Sequence, residues 1–312
     1  MKELKRLNTM HNHFNILDLY DHTAECPIVG DFQEVSGYVH VLKEGSANLI
    51  TDDIQLLSIS SNVVLSNRLS MGDYVVGLAS YDIDRKKNMV KQVELVNNLC
   101  PKTHKKNPGK RFDATIPSRP SNMAKGFGTE FKLGSRIAIK TKKTFDRTDH
   151  IIACIEELKS QDIKTIALII EECESVVPHL TNGGVDHVYI TSFNFNPMKQ
   201  VLVTLLATFQ AKNLAEQGNN VVLFVDNLSK LFKVYNKAMG TKFGQESSHL
   251  LEIHGSINVS ALSDLKGILM SAKQVHGGGS ITVTGYLPEP QNKNEEYVNS
   301  EIGDIANLMI TV

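Results

Sequence analysis

Residues 220–231 read NVVLFVDNLSKL, and this stretch decides the fold class. Five consecutive apolar residues, Val221–Val225, lead directly into Asp226. A strand without alternation of apolar and polar residues is typical of a parallel sheet that helices cover on both faces. The residues that follow, Leu228–Ala238, have the apolar spacing of a helix. The stretch therefore predicts one strand–helix unit of an α/β domain.

The sequence from Gly134 onwards repeats this alternation. Strands are predicted at Arg136–Lys140, Thr165–Ile170, His187–Thr191, Asn220–Val225 and Ser280–Gly285. Helices are predicted at Asp149–Ser160, Glu172–His179, Pro197–Gln217 and Leu228–Ala238. Continuous apolar strands that alternate with helices indicate a mostly parallel sheet. We therefore assign residues 131–312 to one α/β domain.

The preceding segment, residues 30–98, has short β-type runs separated by turn residues. Strands are predicted at Val35–Leu42, Ala47–Ile50, Ile54–Ile59, Val63–Leu65, Tyr74–Ser80 and Val90–Val96. A turn is predicted at residues 71–73, which read MGD, and a charged hairpin tip at Asp82–Asn88. Five or six short strands at this spacing predict a small closed β barrel.

Positive charge is concentrated between the two predicted domains. Residues 85–147 contain 17 Lys or Arg residues against 4 Asp or Glu, although the whole chain of 312 residues has a net charge of −1. Prolines and glycines in residues 99–130 leave little room for helices or strands and predict a basic connector. Such a region suits phosphate groups or an acidic protein surface, and it also suits a linker that only keeps two domains soluble.

The composition excludes several protein classes. A hydrophobic content of 41% with 21% charged residues is ordinary for a folded protein and argues against wholesale disorder. The four cysteines have no metal-binding spacing, and we expect reduced thiols in a cytoplasmic protein. The N-terminal extension, residues 1–29, begins without the apolar core of a signal peptide, and no apolar run approaches a membrane span. We expect no membrane partner.

The loop after the first strand of the α/β domain is where nucleotide-binding proteins of this class hold phosphates. Such loops are rich in glycine, and a Lys and a Ser or Thr open the next helix. Residues 141–148 read TKKTFDRT and contain no glycine; Asp146 stands in place of the last glycine and Arg147 in place of the lysine. The loop therefore predicts loss of ordinary triphosphate binding. The candidate nucleotide contacts that remain are Lys143, Thr144, Arg147 and Thr148.

Two acidic residues follow neighbouring strands. Asp226 lies at the end of its strand, where an aspartate orders Mg²⁺ in nucleotide-binding sites of this class. Glu172 follows the strand Thr165–Ile170, where a general base for attack by water could stand. The same positions are common for turn residues and helix N-caps. Without a phosphate-binding loop, we expect these acids to cap helices.

The same region resembles the bacterial transcription termination factor Rho family. Residues 224–231, FVDNLSKL, followed by VYN at 234–236, resemble the Walker-B strand of Rho, hydrophobic-Asp-Ser-hydrophobic-Thr-Arg-Leu, and its later Ala-Tyr-Asn. Residues 260–262, SAL, look like Rho's Asn-Ala-Leu. Residues 271–282, SAKQVHGGGSIT, look like its Ala-Arg-Asn-Val-Glu-Glu-Gly-Gly-Ser-Leu-Thr. The resemblance runs from about residue 30 to the C-terminus.

The resemblance implies both the fold and the roles of the acidic residues. It makes residues 30–98 an OB-type, cold-shock-like barrel of the RNA-binding type and residues 131–312 a RecA-like, P-loop-type domain. It places Glu172 at the position of the catalytic glutamate of Rho and Asp226 at that of the magnesium aspartate. The expected fold class is thus α/β with an additional small β domain.

The departures from Rho fall at functional positions. The Gly-Phe-Gly-Phe stretch that stacks RNA bases in Rho reads GSAN at residues 45–48, and a nearby tyrosine is Val64. Stacking contributes about 1–3 kcal/mol per base, so we expect weaker base-selective binding. The sequence reaches Val312 about where Rho continues into the segment that supplies its inter-subunit arginine finger, which greatly accelerates phosphoryl transfer. Together with the altered phosphate loop, this resemblance implies loss of hydrolysis.

The expected function is that of a catalytically inactive Rho-like protein that binds RNA or interacts with Rho and so regulates transcription termination. Its expected partners are single-stranded RNA, Rho subunits or copies of itself. The alternative is a divergent, active RNA-dependent ATPase or helicase, and only this alternative requires ATP and Mg²⁺. A third hypothesis is a plain RNA-binding protein in which the α/β domain is a scaffold. The candidate RNA-binding residues are Arg85, Lys86, Lys87, Lys105, Lys106, Lys110, Arg111 and Lys273.

Overall fold

The computed structural model describes residues 28, 32–106, 123–126, 128–240, 252–253 and 257–312. The first elements are β1 (Gln33–Val41), β2 (Ala47–Thr51), β3 (Leu56–Ile59), α1 (Ser61–Asn67), β4 (Tyr74–Asp82) and β5 (Lys87–Val96). The five strands form a closed barrel in the order β1-β2-β3-β5-β4. All pairings are antiparallel except that between β3 and β5. The predicted small β barrel is therefore confirmed.

One predicted strand of the barrel is a helix, because Val63–Leu65 lies within α1. The side chain of Ser60 caps this helix and accepts a hydrogen bond from the Val63 backbone N–H at 3.5 Å. Arg68 ends the helix in the left-handed conformation, at φ 52°. The strand preference of β-branched residues is weak and depends on context, so the cap and the turn decide the local structure.

The predicted connector contains regular elements in its described part. Helix α2 (Pro101–Lys106) follows the barrel, and β6 (Met123–Gly126) pairs antiparallel with β7 (Thr129–Lys132). The expectation that residues 99–130 leave little room for helices or strands is wrong at these positions. Pro101 opens α2, where a proline removes no intrahelical hydrogen bond and its fixed φ suits the first turn.

The α/β domain has a parallel sheet with helices on both faces. Its elements are β8 (Arg136–Thr141), α3 (Arg147–Lys159), β9 (Lys164–Ile169), α4 (Val176–Asn182), β10 (His187–Ile190), α5 (Pro197–Glu216), β11 (Asn220–Val225), α6 (Leu228–Gly240), β12 (Glu252–Ile253), β13 (Ile257–Asn258), α7 (Val259–Met270), β14 (Lys273–Gln274), β15 (Ser280–Pro288), α8 (Lys293–Gly303) and β16 (Leu308–Thr311). The strand order is β10-β9-β11-β15-β8-β16, all parallel, and β14 pairs antiparallel with β15.

The predicted strands and helices of this domain are present, and the largest shift of a predicted boundary is at the start of α4. Helix α4 begins at Val176 and not at Glu172, because residues 170–175 form a loop. The sequence analysis does not predict α7, α8 or the edge strand β16. Within the part of the chain that the structure describes, no helix combines the length and apolar character needed to cross a bilayer.

Helix α5 packs between the sheet and the barrel, so the two domains share a core. Phe209 of α5 lies in the same buried cluster as Tyr38 of β1, with their ring centroids 6.2 Å apart. The Tyr38 hydroxyl donates to the side chain of Gln210. Asn213 Nδ2 donates to Asn97 Oδ1 at 3.0 Å. These contacts fix the barrel against one face of α5.

Candidate functional site

The carboxyl ends of the parallel strands bring the predicted acidic and basic residues to one edge of the sheet. Loop 142–146 follows β8, Glu172 follows β9, and Asp226 follows β11. Neighbouring parallel strands end at the same edge, and ligands of open α/β sheets bind in the crevice there. This edge is the candidate nucleotide site.

The N-terminus of α3 is capped by the residue that replaces the last glycine of the loop. Asp146 Oδ1 accepts hydrogen bonds from the backbone N–H groups of Thr148 at 2.9 Å and Asp149 at 3.1 Å. The first backbone N–H groups of a helix are those that hold phosphates in nucleotide-binding loops. Asp149 adds a second carboxylate in the first turn and pairs with His179 at 2.8 Å. The anion-binding end of α3 therefore holds two carboxylates of the chain itself.

The four candidate nucleotide contacts differ in their exposure and in their hydrogen-bond partners. The side chains of Lys143 and Thr144 are exposed, and Lys143 Nζ lies 3.3 Å from Gln291 Oε1. Thr148 gives its backbone N–H to Asp146. Arg147 is half-buried, and its Nε is buried without a hydrogen-bond partner among the described residues. Of the four, only Arg147 has a charge that acts on Asp226, where it lowers the pKa of the carboxyl.

Asp226 is buried and links two strand ends. Its Oδ1 accepts a hydrogen bond from the Ile170 backbone N–H at 2.8 Å. Burial raises the pKa of this carboxyl to about 7, although that hydrogen bond and the positive charges of Arg147 and Lys230 act in the opposite direction. Asn227 caps α6, since its Oδ1 accepts from the Lys230 N–H at 2.9 Å. The expectation that Asp226 caps a helix is therefore wrong.

Glu172 forms an ion pair across the site. Its Oε1 lies 2.7 Å from Nζ of Lys230, which also donates to the backbone carbonyl of Glu171 at 3.1 Å. Glu172 does not cap α4, whose N-cap residue is Ser175. Lys230 is a residue that the sequence analysis does not single out. The sequence feature that could have identified Lys230 is its position in the first turn of α6, directly after the strand that ends in Asp226.

The structure also has an aromatic cluster beside the first turn of α3, which the sequence analysis does not predict. The buried Tyr286 hydroxyl lies 2.9 Å from Nδ1 of His150. Burial raises the pKa of Tyr286 well above its usual value and lowers that of His150. Phe145 packs edge-on against His150, with ring centroids 5.2 Å apart. The loop and the first turn of α3 are therefore packed onto the sheet by aromatic side chains.

The barrel has a second candidate site, a cavity of about 500 Å³ that brings two of the predicted RNA-binding residues together. Arg85 and Lys87, from the β4–β5 hairpin, line it with Ser46 and the buried Asn48 of the turn and strand at residues 45–48. No aromatic side chain is among its lining residues in the described chain. Hydroxyl, amide and cationic groups, together with the carboxylate of Glu44, which accepts from Ser46 Oγ at 2.8 Å, therefore lie where the resemblance places base stacking.

The remaining predicted RNA-binding residues are not gathered at this cavity. Lys86 is exposed at the tip of the hairpin, at φ 52°. Lys105 and Lys106 lie in α2, and Lys110 and Arg111 lie outside the described residues. Lys273 is half-buried in a cleft between the barrel and the α/β domain.

The glycines that follow Lys273 have a packing role. A Cβ on Gly279 would lie 1.8 Å from the backbone oxygen of Asn219, and Gly277 has a φ of 65°. Residues 277–279 therefore form a tight turn before β15. Across the described residues, no group of three or more His, Cys, Asp and Glu side chains could hold a metal ion.

No protein-family model matches the sequence. The chain is similar to transcription termination factor Rho of Gemmatimonas aurantiaca (25% identity over 184 residues, 57% of this chain and 24% of the relative). It is also similar to Rho of Streptobacillus moniliformis, at 29% identity over 47% of this chain and 34% of the relative. Rho of Mycobacterium bovis matches at 23% identity over 82% of this chain and 44% of the relative. The chain thus spans between 24% and 44% of the length of these relatives.

Two solved structures share the fold. A type III secretion system ATPase of pathogenic bacteria superposes with a TM-score of 0.52 at 16% identity, over 64% of this chain and 60% of that one. The ATP synthase subunit NeqB of Nanoarcheaum equitans superposes with a TM-score of 0.53 at 15% identity, over 63% and 51%. Most of this chain thus shares its fold with these two ATPases, and the five-stranded barrel is consistent with an OB-like fold.

Proposed function

This chain is a distant relative of transcription termination factor Rho, and we propose that it acts in transcription termination as a binding or regulatory module without ATP hydrolysis. It binds single-stranded RNA through the barrel and acts on Rho subunits or on copies of itself. The observation that carries the proposal is the capping of α3 by Asp146.

The capped helix does not fit a triphosphate. A phosphate group at this helix would need the N–H groups that Asp146 already bonds, and it would lie against the negative charge of that carboxylate. Displacing the carboxylate costs about 1 kcal/mol, the usual contribution of an N-cap, before any repulsion is counted. Asp149 adds a further negative charge in the same turn.

The two acidic residues do not compensate for this misfit. Glu172 is held by Lys230 at 2.7 Å, so one of its carboxylate oxygens is bonded to a cation. Asp226 is buried with a pKa raised to about 7, so the carboxyl is partly protonated near neutral pH, and its Oδ1 already accepts from the Ile170 N–H. The two acidic residues therefore do not substitute for the missing phosphate contacts.

Single-stranded RNA is the partner that suits the barrel cavity. Arg85 and Lys87 supply positive charge for phosphates, and Ser46 and Asn48 supply hydrogen-bonding groups for sugars and base edges. Without aromatic platforms, affinity comes mainly from phosphate contacts, which makes binding sensitive to salt. Each phosphate contact contributes a slope of about −0.7 to log K against log salt for single strands.

The proposed absence of hydrolysis is tested by phosphate release from MgATP, with and without single-stranded RNA. We expect no release above that of a protein-free control. Release that RNA stimulates and that Asp226→Ala abolishes would establish the divergent motor instead. Asp226 and Glu172 follow the adjacent strands β11 and β9, an arrangement that favours the alternative of an active motor. Asp226→Ala is therefore the matched control for any hydrolysis that is observed.

RNA binding is tested by fluorescence anisotropy of a labelled oligonucleotide at several salt concentrations. The double variant Arg85→Ala/Lys87→Ala should bind more weakly and reduce the salt slope by about 1.4 for two contacts. Lys91→Ala is the control, because Lys91 lies on the same hairpin, pairs with Asp82 at 2.8 Å and does not line the cavity. An unchanged slope in the double variant would refute the assignment of this cavity.

A further inference from the structure

The chain enters the barrel next to the cavity that Arg85 and Lys87 line. Ile28 packs against the hydrophobic core of the barrel, and its backbone N–H donates to Asn88 Oδ1 at 2.9 Å. Asn88 is buried in β5 between Lys87 and Met89, which both line the cavity. The residues that precede Ile28 are therefore tethered beside the cavity wall.

Residues 14–27, the acidic segment, precede Ile28 and read FNILDLYDHTAECP. The segment contains Asp18, Asp21 and Glu25, and it has no Lys or Arg. Glu25 is three positions before Ile28, and an extended chain spans at most about 3.6 Å per residue, or about 11 Å over this interval. The Glu25 carboxylate can therefore reach the nearest side chains of the cavity, and the two aspartates can reach across it.

The cavity offers cations to these carboxylates. Within the described part of the chain, neither Arg85 nor Lys87 forms an ion pair, and Lys86 between them is exposed. Glu44 also lines the cavity, so two cations and one carboxylate leave its walls with an excess of one positive charge. Hydroxyl and amide groups that can donate to a carboxylate form the rest of the polar wall, at Ser46, Asn48, Ser58, Ser60, Ser61 and Asn62.

The hairpin that carries these cations also exposes an apolar side chain. Ile83, two positions before Arg85, keeps 81% of its surface exposed. The acidic segment places apolar and aromatic residues between its carboxylates, namely Ile16, Leu17, Leu19 and Tyr20. Covering exposed apolar surface contributes binding free energy in addition to the attraction between charges. A peptide that is both acidic and apolar therefore fits this surface.

We propose that the acidic segment binds over the barrel cavity, with its carboxylates paired to Arg85 and Lys87, and so competes with single-stranded RNA for the same cations. This inference rests on the proposed function of the cavity. A short tether gives an effective concentration on the order of 1 mM. At that concentration, a contact with a dissociation constant of about 0.3 mM lowers the apparent affinity for RNA about fourfold.

The competition is tested by fluorescence anisotropy of a labelled single-stranded RNA with the full chain. The triple variant Asp18→Asn/Asp21→Asn/Glu25→Gln keeps the size of each side chain and removes its charge. It should bind RNA about fourfold more tightly, because the neutral segment no longer pairs with the cations of the cavity. Equal affinity of the native protein and the triple variant would overturn the proposal.

A matched control separates this contact from the general effect of net charge. Glu156→Gln/Glu157→Gln/Glu174→Gln removes three negative charges from exposed positions of the α/β domain. Exposed charges separated by more than a Debye length are largely screened, so this variant should bind RNA as the native protein does. The same gain in affinity in this variant as in the triple variant of the acidic segment would also overturn the proposal.

A second readout does not require RNA. A carbodiimide joins a carboxylate and an amine in direct contact through an amide bond, with loss of water. Mass spectrometry of the monomeric product should find Glu25 or Asp21 linked to Lys87, and saturating RNA should suppress this link. The pair of Asp82 and Lys91, 2.8 Å apart on the same hairpin, is the internal control for coupling.

The outcomes of the coupling experiment distinguish the segment contact from the RNA site. Coupling of Asp82 to Lys91 without any link from the acidic segment to Lys87 would overturn the proposal, as would a link found only between two copies of the chain. A link within the monomer, in a protein that binds no RNA in any variant, would support the contact of the segment and refute the proposed RNA site.

Discussion

The buried carboxyl of Asp226 makes a pH-dependent contribution to stability that can be measured directly. Its pKa rises from 3.8 to about 7 on folding, because burial disfavours the charged form more than its hydrogen bond and nearby cations favour it. The folded state therefore binds more protons than the unfolded state between these values. Stability is greatest below pH 4 for this group alone, and it falls as the pH rises through 7.

The magnitude follows from the size of the shift. A shift of about three units at about 1.4 kcal/mol per unit gives about 4 kcal/mol lost between pH 4 and pH 8. Asp226→Asn removes the ionisation and keeps an oxygen that can accept from the Ile170 N–H. The free energy of unfolding of this variant should not include the loss caused by ionisation of Asp226. The difference in unfolding free energy between the variant and the native protein should therefore grow, in favour of the variant, by up to about 4 kcal/mol from pH 4 to pH 8.

Urea unfolding of both proteins at several pH values between 4 and 8 measures this difference. Comparison of the two proteins cancels the titration of all other groups to first order. A difference that stays constant with pH would refute the assignment of a buried, largely neutral carboxyl. Mg²⁺ provides a second check, because we expect no stabilisation of the native protein by millimolar Mg²⁺ at pH 6, where the Asp226 carboxyl is mostly protonated, and a clear increase there would show that the carboxylate is a metal ligand after all.

Three further substitutions test the local structure. Asp146→Ala should cost about 1 kcal/mol of stability in urea unfolding, because it removes the cap of α3; an unchanged midpoint would contradict the hydrogen bonds assigned to that carboxylate. Gly279→Ala should lower the melting temperature sharply, since the new Cβ would lie 1.8 Å from the Asn219 carbonyl oxygen, and wild-type stability would show that this close approach is wrong. Gly267→Ala in α7 meets no atom within 4 Å and should raise stability by about 0.5–1 kcal/mol; destabilisation there would argue against the helix.

The hydrophobic patterns predict most of the fold. The unbroken apolar runs give the strands of the parallel sheet, and the short runs before residue 98 give the barrel. The strand predicted at Val63–Leu65 is wrong because single-residue preferences are weaker than the cap at Ser60. Strand β16 is missed because it lies at the sheet edge and only alternate residues are partly covered.

The candidate site is less predictable, because its decisive contacts join distant parts of the chain. Sequence reasoning identifies Asp146 as an obstacle to phosphate, but only the structure shows that its carboxylate takes the helix N–H groups. The pairing of Lys230 with Glu172 depends on how α6 lies over the end of β9. The contact between Tyr286 and His150 joins residues 136 positions apart, and no local pattern encodes it.

The most direct test of the account is calorimetric titration of MgATP into the purified protein, alone and with a saturating single-stranded RNA present. The account predicts no measurable binding in either case, with circular dichroism confirming that the protein is folded. Binding at one site in the micromolar range would contradict it, since the phosphates would then have displaced Asp146 from α3.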